Sequence, residues 1–202
     1  LTLIQEPGGA SRAVRIFSRS GFDATLGQHR DLTKISSPVE KSLDAYWERI
    51  ILKSGSVFRM ATAGGAAVGT ADEALIEALG DYGTALGVML QLIDDCRDAF
   101  SPSQELIHWE TSLPLLLYCM VTGEENTIYP QVSSKAEWSS LLNEVGVIHA
   151  ISNILLEWKA RALESIVLLN ASEEKQILES IPSHFLERIL ANHKGVTDGT
   201  SD

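Results

Sequence analysis

The chain has 202 residues, and 27 Asp and Glu against 16 Lys and Arg give it a formal net charge of -11. Its length suits one domain with a sizeable core, and 45% hydrophobic against 21% charged residues is typical of a globular protein. The acidic balance counts against nucleic acid as a partner, because a phosphate backbone is bound by faces rich in Lys and Arg. The longest apolar run, 113–121, is far shorter than the roughly 20 residues of a membrane span. Since Cys96 and Cys119 make no disulfide framework, we expect a reducing, cytoplasmic environment.

The chain reads, in order, as a series of helices. Six prolines mark boundaries between stretches that repeat apolar residues every three or four positions, and no stretch keeps the alternation of a strand. Thr70-Ala-Asp-Glu73 matches a capping box and predicts the start of the third helix. The predicted helices are 10–32, 38–69 with a break near its small residues, 70–100, 113–120, one or two within 134–169, 172–180 and 183–193. An all-α, single-domain helical bundle over residues 1–202 follows.

An acidic cluster near the end of the third predicted helix is the most informative feature. On a helix, Asp94, Asp95 and Asp98 converge on one face, and Gln91 lies one turn earlier on that face. Carboxylates held together repel one another, and a hard cation such as Mg²⁺ relieves this repulsion while it bridges to phosphate oxygens. The alternative is a solvated helix end. The apolar and small residues at 82–90 favour a cluster that emerges from a buried helix instead.

Two further features have simple structural explanations when taken alone. Lys53 heads a run of small residues, 53–69, which predicts close helix packing or the wall of a cavity. Its ammonium could supply a positive charge for phosphate, or it could simply extend along an apolar surface into solvent. Gln28 and Asp31 lie one turn apart in the first predicted helix, where a surface pair explains them equally well.

Taken in order, these motifs resemble the trans-polyprenyl diphosphate synthase family. The family strings GQxxDL, KTGxLF, a block ending in QxxDDxxD, and GKxTLP correspond here to GQHRDL at 27–32, KSGSVF at 53–58, the block 82–98 and WETSLP at 109–114. The matched stretch covers about residues 21–117. The resemblance implies a helical bundle of the isoprenoid synthase type. It also implies a magnesium-dependent prenyltransferase that condenses an allylic prenyl diphosphate with isopentenyl diphosphate or a related acceptor, and a homodimer.

The same resemblance assigns roles to individual residues. Asp94, Asp95 and Asp98 would hold Mg²⁺ on the allylic diphosphate. The residues implied to bind substrate are Lys53, Ser54, Gln91, Phe58, Gln28 and Asp31. Among all of these, the resemblance places Lys53, Gln91 and Asp94 in the catalytic step, and it places Phe58 at the border of the tunnel for the prenyl tail.

Three departures from the family pattern bear on activity. The first aspartate-rich motif is absent from the sequence, Glu110 stands where the family has a lysine before Thr-Leu-Pro, and the loop near 101–108 is short. We therefore expect the sequence to be incomplete at its N-terminus and in that loop. Two alternatives stay open: a non-catalytic partner subunit of a prenyl synthase heteromer, and a class I terpene cyclase, whose late metal motif is not matched here.

Overall fold

The computed structural model describes residues 8–33, 42–100, 112–123 and 135–197, and within these ranges the chain forms helices and no strand. The helices are α1 Gly9–Leu32, α2 Leu43–Ile50, α3 Ser56–Gly69, α4 Glu73–Phe100, α5 Leu113–Thr122, α6 Lys135–Glu144, α7 Val147–Ser165 and α8 Glu173–Thr197. A π-helical turn, Ile51–Gly55, joins α2 to α3. The predicted all-α class is confirmed.

Helix α4 is the central element of the bundle. It contacts α3, the π turn, and each of α5, α6, α7 and α8. Its buried residues Val88, Met89 and Leu92 belong to a core that includes Tyr46 from α2 and Trp138 from α6. The acidic cluster therefore stands at the end of a helix whose middle is buried, as the flanking sequence indicates.

No single helix within the described ranges is both long and apolar enough to cross a membrane. By length and composition alone, the bent pair Glu137–Glu144 and Val147–Ser165 could do so together.

The second predicted helix contains a π turn in place of a break. Residues 43–69 run as α2, the π turn and α3, and the small residues expected to interrupt the helix lie within α3. The wider turn falls on Lys53, Ser54 and Gly55, one of the motifs that the sequence singles out. π turns are rare and concentrate at functional sites, so the presence of one here marks this motif as a candidate site.

Helix α4 begins at Glu73, three residues after the start that the sequence predicts, and a different residue caps it. The side chain of Asp72 accepts hydrogen bonds from the backbone N–H groups of Ala74, at 2.9 Å, and Leu75, at 3.3 Å. Thr70 instead accepts a hydrogen bond from the N–H of Asp72, at 3.1 Å. The predicted capping box is therefore wrong, because Asp72 and not Thr70 caps the helix. The carboxylate of Asp72 accepts the hydrogen bonds of the first N–H groups and complements the helix dipole.

The predicted break before residue 183 is also wrong, since α8 continues through Pro182. Proline lacks an N–H, so it cannot bond the carbonyl four residues earlier, which belongs to Leu178. The hydroxyl of Tyr82 on α4 donates to that carbonyl at 2.7 Å. A residue distant in sequence thus replaces the hydrogen bond that the proline removes.

Tyr82→Phe is expected to destabilise the protein by about 1 to 3 kcal/mol, because the Leu178 carbonyl loses its donor. Urea unfolding measures the loss, and Pro182→Ala provides the control. In that background residue 182 regains its own N–H, so Tyr82→Phe should cost much less. An equal cost in both backgrounds would refute the compensation.

Alkaline pH provides a second readout of the same contact. Burial raises the pKa of Tyr82 to about 12. The stability that the neutral hydroxyl contributes is therefore present below about pH 10 and is lost as the pH rises towards 12. We expect the stability difference between the wild type and Tyr82→Phe to shrink over that range.

Candidate functional site

The π turn is held between α1 and α4 by glycines that allow backbone to touch backbone. A Cβ atom added at Gly27 on α1 would lie 2.7 Å from the carbonyl carbon of Leu52 and from the Cα of Lys53. One added at Gly87 on α4 would lie 2.7 Å from the carbonyl carbon of Ser54. No side chain larger than hydrogen fits either contact without a shift of the backbone. The two glycines thereby fix the position of the π turn.

Lys53 faces α1 and forms an ion pair there. Its Nζ lies 2.5 Å from Oδ2 of Asp31, and the Nε of Arg49 lies 3.4 Å from the other oxygen of the same carboxylate. The Arg49 side chain is 6% exposed, whereas those of Lys53 and Asp31 are 27% and 25% exposed. One carboxylate therefore meets two cations, of which Lys53 is the one that reaches solvent. Such a group suits the recognition of an anion.

Ser54, the next residue, faces α4 and begins a hydrogen-bonded chain of side chains. Its hydroxyl donates to Oε1 of Gln91 at 2.7 Å, and Nε2 of Gln91 donates to Oδ1 of Asp95 at 2.8 Å. The hydroxyl of Tyr46 donates to the second oxygen of Asp95, also at 2.8 Å. We call this set, Ser54, Gln91, Asp95 and Tyr46, the polar relay. It links α2, the π turn and α4.

Burial changes the pKa values of Asp95 and Tyr46, the two titratable side chains at the buried end of the polar relay. Burial raises the pKa of the Asp95 carboxyl, although Gln91, Tyr46, the backbone of Leu113 and the charge of Arg49 all favour its ionised form. Burial also raises the pKa of Tyr46 well above its ordinary value, and the neighbouring Asp95 adds to this effect. Tyr46 therefore stays a neutral donor.

The predicted metal-binding aspartates differ in their availability. Asp94 has a side chain 37% exposed and pairs with Arg97 on the same helix at 2.9 Å. Both oxygens of Asp95 accept hydrogen bonds within the polar relay. The side chain of Asp98 lies outside the described residues. Among the side chains described, no group of three or more His, Cys, Asp or Glu could hold a metal ion.

A magnesium ion that also binds substrate phosphates needs fewer protein ligands than such a group supplies. Mg²⁺ is commonly bound through one or two carboxylates and substrate phosphates, and it keeps several waters. The surface pair of Asp94 with Arg97 is weak, so the carboxylate can exchange it for a cation. Asp94 is therefore the described carboxylate best placed to hold the ion, and Asp95 is better placed to support Gln91.

Other predicted residues lie apart from this arrangement. Gln28 is exposed on α1. Phe58 packs against a second core cluster that contains Tyr82 and Ile166. Cys96 is buried, and burial raises its thiol pKa to about 12, which is typical of a structural cysteine. Glu110 and the loop near 101–108 lie outside the described residues.

The sequence analysis missed Tyr46 and Arg49, two residues that complete the site. Both lie on α2, Arg49 one turn and Tyr46 two turns before Lys53, and Arg49 stacks over the ring of Tyr46 at 5.4 Å from its centroid. An arginine four residues before a motif lysine is a signal that could have been read as a second cation on the same helix face. Its burial at 5% exposure could not be predicted from spacing alone.

Comparison with known proteins connects the arrangement to one family. The family model described as polyprenyl synthetase matches residues 1–108. Over 195 residues, the chain is 21% identical to a geranylgeranyl diphosphate synthase from Methanosarcina mazei, an alignment that covers 91% of this chain and 60% of that protein. The chain thus spans about three-fifths of the length of this curated relative.

Solved structures of similar proteins share the fold. A geranylgeranyl pyrophosphate synthetase from the archaeon Geoglobus acetivorans superposes with a TM-score of 0.76 at 21% identity, over 90% of this chain and 60% of that one. A decaprenyl diphosphate synthase from Rhodobacter capsulatus gives a TM-score of 0.73 at 22% identity, over 89% and 60%. These likenesses confirm the predicted helical fold of the isoprenoid synthase type.

Proposed function

The chain belongs to the polyprenyl synthetase family, and from that premise we propose that it takes part in prenyl transfer. The proposed substrates are an allylic prenyl diphosphate, bound at the π turn, and isopentenyl diphosphate or a related acceptor. One observation carries the proposal. Lys53 and Ser54, adjacent in one π turn, contact Asp31 and Gln91, so three motifs far apart in sequence meet through their side chains.

The side chains suggest how the site would treat an allylic diphosphate. Lys53 supplies a partly exposed ammonium for the diphosphate oxygens, and Asp31 holds that ammonium in place. During transfer the bond between C1 and oxygen would break, and the electron pair would leave with the diphosphate. The double bond of the acceptor would then attack C1, and the cation formed on the acceptor would lose a proton to the released diphosphate, which restores a double bond. Magnesium bound through Asp94 and the diphosphate would neutralise the charge on the leaving group. Phe58 packs against the core cluster that contains Tyr82 and Ile166, and its place at the border of the prenyl-tail tunnel stays a prediction.

A thermal-shift experiment tests the proposal. Farnesyl diphosphate should raise the melting temperature of the wild type when MgCl₂ is present and should have little effect in EDTA, because a ligand stabilises the state it binds. We expect Asp94→Ala to abolish the magnesium-dependent rise.

Asp81→Ala is the matched control for that experiment. Asp81 also lies on α4 and pairs with an arginine, Arg59, at 2.9 Å, but it is remote in sequence from the acidic cluster. Its removal should leave the rise intact. A rise that survives in Asp94→Ala, or that needs no magnesium, would overturn the proposed metal role.

The two alternatives give different outcomes. A non-catalytic partner subunit would show no shift with farnesyl diphosphate, and Asp94→Ala would then be silent. The class I terpene cyclase receives no support from the comparisons, since the family model that matches is polyprenyl synthetase. The related acceptor stays a prediction, which the replacement of the family lysine by Glu110 favours.

A homodimer is also proposed, and the surface of α1 supports it. Val14, Phe17 and Phe22 are 64%, 51% and 65% exposed on this helix. Large apolar side chains grouped on one helix are typical of an interface. Light scattering would measure the mass in solution.

The cytoplasmic location likewise stays a prediction.

A further inference from the structure

We propose that Tyr46 is a positioning residue for the diphosphate site, and that it acts through Asp95 on the amide of Gln91. The inference concerns the polar relay, and its effect on ligand binding rests on the proposed function. Tyr46 belongs to none of the motifs that point to prenyl transfer. The structure nevertheless connects it to Ser54 by an unbroken series of hydrogen bonds.

The ring of Tyr46 is fixed, so its hydroxyl is a rigid donor. The residue is 0% exposed and belongs to the main core. Its ring contacts that of Trp47 edge to face, with centroids 5.2 Å apart, and the guanidinium of Arg49 covers it. Because a close-packed ring has little freedom to turn, the hydroxyl can hold Asp95 in one orientation.

Within the polar relay, each acceptor determines which group of the next side chain must donate the hydrogen bond. Both oxygens of Asp95 accept hydrogen bonds, so the Nε2 side of the Gln91 amide faces Asp95. The amide oxygen consequently faces Ser54. An amide oxygen also only accepts, so the hydroxyl of Ser54 must be the donor in that contact.

Removal of the Tyr46 hydroxyl should loosen every later member of the polar relay. Asp95 would keep its contacts with Gln91 and with the backbone of Leu113 but would lose the hydrogen bond from Tyr46 to its second oxygen. The Gln91 amide and the Ser54 hydroxyl would then sample more orientations, and a ligand would have to restrict them on binding. Tyr46 would thus influence a ligand that it never contacts.

A double-mutant cycle in binding tests the inference. Calorimetric titration with farnesyl diphosphate and MgCl₂ should show about fivefold weaker binding to Tyr46→Phe, the value of one modest hydrogen bond. In the Gln91→Ala background the same substitution should have no further effect, because the relay is already cut. An equal loss in both backgrounds would overturn the inference.

Tyr82→Phe is the matched control. Tyr82 is also a tyrosine at 0% exposure on the bundle interior, but its hydroxyl donates to Leu178 and not to the polar relay. It should lower stability and leave the dissociation constant for farnesyl diphosphate unchanged. If it weakens binding as much as Tyr46→Phe does, the effect is one of general destabilisation and the positioning role fails.

A second cycle keeps the inference independent of the proposed function. Tyr46→Phe and Ser54→Ala should be non-additive in urea unfolding, because the two residues communicate through Gln91 and Asp95. Absence of ligand binding by the wild type would overturn the proposed function and the role in binding, while this cycle would still test the relay. Strict additivity would overturn the relay itself.

Discussion

Gly87→Ala is expected to destabilise the protein by about 3 kcal/mol, at the upper end of the range for overpacking a core. The new Cβ would lie 2.7 Å from the carbonyl carbon of Ser54 and 2.8 Å from the Cα of Gly55. Both are backbone atoms of the π turn, so no rotation of a side chain can relieve the overlap. The turn must move away from α4, and we expect the contact between Ser54 and Gln91 to break with it.

Gly65→Ala is the control, because it should act in the opposite direction. Gly65 lies on the exposed side of α3, and a Cβ there would meet nothing within 4 Å. Alanine should stabilise this helical position by about 0.5 to 1 kcal/mol. Urea unfolding of both variants measures the difference. Equal stability of Gly87→Ala and the wild type would show that the close approach of α4 to the π turn is not real.

Asp31→Ala is expected to cost about 2 kcal/mol of stability, an effect reduced from that of a fully buried pair because Asp31 is partly solvated. The carboxylate holds Lys53 with one oxygen and Arg49 with the other. Arg49 is 5% exposed, so its guanidinium would stay buried with less compensating charge. Lys53 would meanwhile be free to extend into solvent.

The pair of Arg19 and Asp23 provides the comparison, because Asp23 is 20% exposed, much like Asp31, but its arginine partner is exposed whereas Arg49 is buried. The two side chains lie one turn apart on α1 at 3.1 Å, and Arg19 is 79% exposed. Asp23→Ala should change the free energy of unfolding by less than about 0.5 kcal/mol. Unfolding at low and high salt checks both variants. If the two substitutions have similar, small effects, Asp31 is a surface residue and does not organise the site.

Local sequence patterns predicted the bounds of most helices. They failed where a residue distant in sequence determines whether a helix continues. The bounds predicted for α1 and for the start of α4 agree with the structure to within a residue or a few, because apolar spacing and polar caps act locally. The break predicted at Pro182 was wrong, since the hydroxyl of Tyr82 replaces the lost bond from another helix. No pattern within α8 could indicate that contact.

The sequence predicted most of the residues of the site, but it did not predict the hydrogen bonds between their side chains. The family resemblance identified Lys53, Ser54 and Gln91, and the structure places Lys53 and Ser54 in the π turn with Gln91 of α4 in contact with Ser54. The π turn itself was not foreseen, because it widens the helix without any proline or loop residue to mark it. Helical spacing alone did not distinguish Asp94 from Asp95, and it predicted the same metal-binding role for both. The contacts distinguish the two, because Asp95 accepts hydrogen bonds from Tyr46 and Gln91 whereas Asp94 pairs with Arg97 at the surface.

The central claim is that the π turn binds an allylic diphosphate together with magnesium. Calorimetric titration of farnesyl diphosphate into the wild type and into Lys53→Met tests it most directly, with MgCl₂ and again with EDTA. We predict saturable binding of one diphosphate per chain to the wild type in MgCl₂ only, and a loss of at least about tenfold in Lys53→Met, as expected for a charge-assisted contact. Binding that is unchanged by Lys53→Met, or no binding by the wild type, would contradict the claim.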